Sequence, residues 1–130
     1  MVKYEYQDLE DKTKIPDDCS VFNCRKCNLE ELPELPKLLI ELLCSVNNLT
    51  LLPKLPNRLI QLECHSNKLI ELPELPMTLK ELMCKNNNIK YLSPNNCEIM
   101  KNGCELTVLN NPFSAGFTRN NDFIKYLMNL

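Results

Sequence analysis

Residues 32–91 repeat at a period of twenty, and that period constrains the chain more than any other feature. Set line under line they read LPELPKLLIELLCSVNNLTL, LPKLPNRLIQLECHSNKLIE and LPELPMTLKELMCKNNNIKY. Leu, Pro, Cys, Asn and a final Leu or Ile return at fixed offsets. One such unit cannot bury its own apolar side. Neighbouring units must stack to make a core, so the period predicts an elongated stacked coil rather than a closed globule.

The period extends beyond the three clean units. Sliding the template back by twenty sets Ile15-Pro16 on Leu35-Pro36, Phe22 on Leu42, Cys24 on Cys44, Cys27 on Asn47 and Leu29 on Leu49. Forward, Leu106, Val108, Asn111 and Phe113 match Leu82, Cys84, Asn87 and Ile89 with four extra residues inserted. The expected division is an N-terminal cap at 1–11, five repeats at 12–31, 32–51, 52–71, 72–91 and 92–113, and a C-terminal helical cap at 114–130. Tyr4, Tyr6 and Leu9 are expected to cover the first open end. The insertion within 93–103 is expected to bulge as a loop. Asn121 is expected to cap a closing helix with Phe123, Ile124, Leu127 and Met128 on one face.

Within a unit, alternation assigns direction. In Glu41-Leu42-Leu43-Cys44-Ser45 the residues Leu42 and Cys44 point inward, and Glu41, Leu43 and Ser45 point outward. Pro33 and Pro36 lack backbone donors and force the residues before them to be extended, so the far side is expected to be polyproline-like and free of helices. Five strands at about 4.8 Å spacing give a parallel sheet roughly 20–25 Å wide.

The core pattern LxxLxCxxNxL, as in LIELLCSVNNL, resembles the leucine-rich repeat family, whose signature is LxxLxLxxNxL. With LPxLP ahead of it, the unit looks most like the short twenty-residue repeats of secreted bacterial effectors, and Cys- and Asn-rich versions occur in proteins of giant DNA viruses. The resemblance implies a right-handed solenoid with a parallel sheet on its concave face. It also implies that Asn47, Asn67, Asn87 and Asn111 form a buried structural ladder that satisfies backbone groups where the chain leaves each strand. The ligase branch of those effectors carries a separate catalytic domain. This chain ends within twenty residues of its last repeat, so no ligase activity is expected of it.

Candidate chemistry gives way to packing at each point. Eight cysteines would make a disulfide framework in a small secreted protein, but Cys24, Cys44, Cys64 and Cys84 fill one inward column. They are expected to be reduced, with no disulfides and no metal. Cys24-Arg-Lys-Cys27 has the spacing of half a zinc site, yet no second such pair exists and the chain has one His. Ser45, His65 and Glu63 make a nucleophile, base and orienter on paper. A flat sheet, however, supplies neither an oxyanion hole nor a dry pocket, so no catalytic residue and no enzyme activity is expected.

With a net charge of −2 and no Trp, the chain has no composition for nucleic acid, and no apolar run or leader-like start points to a membrane. What remains is the outward sheet face. Its partner-binding candidates are Glu41, Leu43, Gln61, Glu63, His65, Glu81, Met83 and Lys85: an acidic edge, a partly basic edge, and Leu43 and Met83 between them as apolar anchors. The sequence thus reads as a non-enzymatic protein-interaction module without cofactors, monomeric or weakly self-associating. Its expected place is the cytoplasm, of a host cell or in a virion if it is viral. The alternative is a structural or virion-assembly component held by an edge or a cap.

Overall fold

The structure is a computed structural model that describes residues 1–130. Its strands are β1 Lys3–Glu5, β2 Val21–Asn23, β3 Glu41–Leu43, β4 Gln61–Glu63, β5 Glu81–Met83 and β6 Glu105–Thr107, and its helices are α1 Pro94–Lys101 and α2 Asn120–Met128. The six strands lie in sequence order in one all-parallel sheet. Glu41 pairs in register with Gln61 and Gln61 with Glu81, one repeat apart each time.

Each coil turns at the same place for the same reason. The residue before the ladder position takes a left-handed backbone, with φ of 54° at Lys26, 57° at Val46, 58° at Ser66, 57° at Asn86 and 60° at Asn110. Only Gly and, less readily, Asn visit that region at low cost. The chain then runs through the Leu-Pro-x-Leu-Pro segments, which have no helix in the first four coils. Leu35, Leu55 and Leu75 form one inward column, Leu39, Leu59 and Leu79 a second, and Leu42, Leu62 and Leu82 a third. With the cysteine column they belong to one core of 25 buried residues.

Four expectations are corrected. The sheet has six strands rather than five, because β1 adds to β2 with Lys3 opposite Val21 and Tyr4 opposite Phe22. Tyr4 takes the inward position there, packs on the core and donates its hydroxyl to Asp18 at 2.9 Å. The Val2 amide donates to Ser20 Oγ at 2.6 Å, fixing the strand's start.

The insertion is the helix α1 rather than a loop. Ser93 Oγ accepts the Asn96 amide at 3.1 Å and Pro94 opens the helix, a pairing that satisfies one orphan donor and costs none. Buried Asn96 then reaches back one coil. Its Oδ1 accepts the Leu75 amide at 2.8 Å, and its Nδ2 donates to the Pro73 carbonyl at 3.1 Å. Met100, from the same helix, enters the core.

The closing helix α2 has Arg119, not Asn121, at its N-cap, and no side-chain cap bond. Asn120 is used elsewhere: its Oδ1 accepts the Val108 amide at 2.9 Å, while Ser114 Oγ donates to the Val108 carbonyl at 3.0 Å. Phe123 and Leu127 are buried, but Met128 is 59% exposed. Five residues of helix turn a side chain about 140° from Phe123, which carries Met128 off the packed face.

Candidate functional site on the sheet face

Strand alternation presents three columns on the outer side of the sheet. The first runs Lys3, Val21, Glu41, Gln61, Glu81, Glu105, and the second Glu5, Asn23, Leu43, Glu63, Met83, Thr107. Arg25, Ser45, His65 and Lys85 follow two residues further along their chains. Lys3 and Glu5 enter these columns only because β1 exists.

One interaction divides this surface. Arg25 Nε and its second guanidinium nitrogen donate to the two carboxylate oxygens of Glu63, each at 2.6 Å. The arginine leaves β2 and the glutamate belongs to β4, so the fork crosses over β3. Ser45, beneath it, donates its hydroxyl to the same carboxylate at 2.7 Å. Leu43, Ser45 and Glu63 are consequently 7%, 3% and 6% exposed. The Arg25 guanidinium, helped by the Ser45 hydroxyl, holds the Glu63 carboxyl below the usual glutamate range against the opposing effect of burial.

This arrangement redistributes the candidates. Leu43 is not an exposed anchor, because the clamp and its neighbours cover it. Glu63 is an acceptor already filled by the chain's own groups. Ser45 bonds to Glu63 and not to His65, whose Nδ1 pairs with Ser66 Oγ at 3.1 Å. Ser45 and His65 are thus not joined by the hydrogen bond through which a base activates a nucleophile. Partial burial lowers the His65 pKa, leaving the imidazole neutral at pH 7.

The far half of the face is more open. Glu81, Met83, Lys85, His65, Thr107 and Leu109 are half-buried, and Glu105 is exposed. Glu41, Glu81, Glu105 and Lys85 have no ion-pair partner in the chain, whereas Lys3 pairs with Glu5 at 3.4 Å and Arg25 with Glu63.

Behind the sheet, the asparagines link coils. Asn67 Nδ2 donates to the carbonyls of Cys44 and Cys64, both at 3.1 Å, and its Oδ1 accepts the Leu49 amide at 3.0 Å. Asn47, Asn87 and Asn111 repeat the pattern, with Asn47 also accepting the Cys27 amide at 3.0 Å. No buried side-chain nitrogen or oxygen is left without a partner.

No family model matches the chain, and no curated protein does. Solved structures do. The chain superposes on the leucine-rich-repeat domain of a Shigella effector with a TM-score of 0.68 at 27% identity, covering 85% of this chain and 47% of that one. It superposes on YopM from Yersinia enterocolitica with a TM-score of 0.60 at 24% identity, covering 76% of this chain and 30% of YopM. Parallel strands at a spacing of about twenty residues, with an asparagine at four of the five ladder positions and Cys27 at the other, agree with those folds.

The chain is a leucine-rich-repeat solenoid.

It spans about half of the Shigella domain's chain and under a third of YopM. The sheet is the concave side of the solenoid, and the Leu-Pro segments with α1 are its convex side. All eight cysteines are free thiols in the solenoid. Burial drives the Cys44 and Cys64 thiols well above their usual range and pushes Cys24 and Cys84 up to about 12. Cys27 is half-buried and donates its thiol to the Arg25 carbonyl at 3.2 Å. No three His, Cys, Asp or Glu side chains converge as a metal cluster would require. No helix of the solenoid is long and apolar enough to cross a membrane.

Proposed function

We propose that this solenoid is a protein-interaction module that receives a protein or peptide on its concave face. The observation that carries the reading is the contrast between satisfied and unsatisfied charge there. Arg25, Glu63, Lys3 and Glu5 are paired within the chain, while Glu41, Glu81, Glu105 and Lys85 are left to solvent beside half-buried Met83 and Leu109. Unpaired charges around an apolar centre are what an interface uses for steering and anchoring. Reduced thiols throughout the core fit a cytosolic place of action.

The likeness to an effector domain supports an interaction role by analogy alone, since one fold hosts many functions. The test is a partner captured with the wild-type chain and re-measured by surface kinetics. Glu41→Lys with Glu81→Lys should slow association, Met83→Ala should speed dissociation, and convex Lys54→Glu should do neither. A partner that ignores the concave variants and is lost on the convex change, or on removal of 114–130, would move the role to a scaffold.

A further inference from the structure

Among the six strands, β5 alone presents a carboxylate, an apolar side chain and an amine in one outward row with none of them consumed by the chain itself. Glu81, Met83 and Lys85 stand two residues apart each time, and neither charge has an ion-pair partner. The corresponding row on β3 ends in buried Leu43 and Ser45, and that on β4 holds Glu63 under the Arg25 fork. On β6 the row is Glu105, Thr107, Leu109, without a cation.

We infer that the concave face is read at β5, by an extended segment of a partner that carries opposite charges on either side of an apolar residue, at alternate positions. The inference rests on the concave-face reading and narrows it to one row and one partner chemistry. The geometric basis is a shared pitch. Alternate residues of any extended chain are about 6.6–6.8 Å apart, so a segment lying along β5 meets Glu81, Met83 and Lys85 with its own residues i, i+2 and i+4 without stretching. A cation meets Glu81, an aliphatic side chain lies on Met83, and a carboxylate meets Lys85.

Glu105 stands in register beside Glu81 on the next strand. Two like charges so placed disfavour the folded sheet. Their fields overlap behind the strands, where burial and then Glu81 and Glu105 push the Cys104 thiol up to about 11. A cation arriving at Glu81 relieves that repulsion, so the cationic residue of the partner is the stronger determinant. The Arg25 fork closes the other half of the face and keeps the segment from sliding toward β3.

Methionine methyl groups give a direct readout, because the five methionines report on different places. Met83 lies on the concave face, Met77 is 90% exposed on the convex side, Met100 is buried, and Met1 and Met128 are terminal. Methyl-labelled protein is titrated with the capped peptide Lys-Ser-Leu-Ser-Glu, and with versions carrying Lys at both ends or Glu at both ends. The expected result is a shift at Met83 alone and a preference for the mixed-charge peptide by a few-fold, the size of one exposed ion pair. Glu81→Lys should switch the preference to the peptide with Glu at both ends.

A shift at Met77 in place of Met83, or no shift with any peptide, overturns the inference. A Met83 shift with a ranking unchanged by Glu81→Lys overturns the charged row while leaving concave binding in place. Loss of concave binding as a whole would be read separately, from the captured-partner kinetics above.

Discussion

Arg25 grips both oxygens of Glu63 at 2.6 Å from two strands away, passing over Ser45 without bonding to it. Removing the arginine leaves a buried carboxylate with only the serine. Arg25→Ala should therefore destabilise the chain by about 1–3 kcal/mol, below the cost for a fully buried pair because the arginine side chain is 42% exposed. Urea melts of Arg25→Ala, Glu63→Gln and the double variant should show the second change costing much less once the first is present. Additive costs would mean that the two side chains do not meet.

The same pair sets a pH dependence. The folded-state pKa of Glu63 is depressed below its usual 4.5, so its stabilisation is fully present above that value and is lost as pH falls through the folded pKa. The stability gap between wild type and Arg25→Ala should be constant from pH 7 to about pH 5 and should close at lower pH. A gap that persisted undiminished at pH 2 would remove Glu63 from the account.

Asn67→Ala should cost about 1–3 kcal/mol, because it strips partners from the Cys44 and Cys64 carbonyls and the Leu49 amide at once. Asn48→Ala, one residue past its own ladder position, loses a bond to Asn28 at the surface and should change stability by no more than about 0.5 kcal/mol. Chemical denaturation of the two separates a coil-linking amide from a rim contact.

Val46 is a β-branched residue held at φ 57°, 42% exposed, where other coils have Ser66, Asn86 and Asn110. Val46→Asn should raise stability by about 0.5–1 kcal/mol by relieving backbone strain with little loss of burial. Asn86→Val, the reciprocal change, should lower it by a similar amount. Thermal melts that moved the other way would show that Val46 gains more from packing than it loses in the turn.

Thiol reactivity should split in two. Cys27 and Cys97 are half-buried, while Cys19, Cys24, Cys44, Cys64, Cys84 and Cys104 are buried. In folded protein at neutral pH, an alkylating reagent followed by mass spectrometry should label the first two ahead of the rest, since burial withholds both access and the thiolate form. Denaturant should release all eight. Rapid labelling of Cys44 or Cys64 without denaturant would take that column out of the core.

What the sequence made legible is what recurs. Leu42, Cys44 and Asn47 could be placed because Leu62, Cys64 and Asn67 repeat their spacing, and periodicity alone gives direction and depth. Features that occur once were harder to read. Lys3–Glu5 lacks the template, so the strand it makes was visible only through its pairing with Val21–Asn23. Ser93-Pro94 did carry a helix-start signal, but the repeat register around it favoured a loop. The Arg25 fork was out of reach for a different reason. Alternation says on which face a side chain emerges and nothing of how far a long one travels, so Leu43 read as open although a residue from the first repeat helps to cover it.

A column of like coils has no natural length, since each coil offers the next the surface it was itself built upon. Here that succession is stopped within the chain. In the inner coils the amide at the Val108 position bonds the next strand, as Cys84 does to Thr107, and the carbonyl takes the next coil's asparagine. At Val108 they are held by Asn120 and Ser114, so two side chains stand where the next coil would bond. They act as a terminator. An end-to-end stack of such chains would first have to displace Asn120 and Ser114 from those two groups.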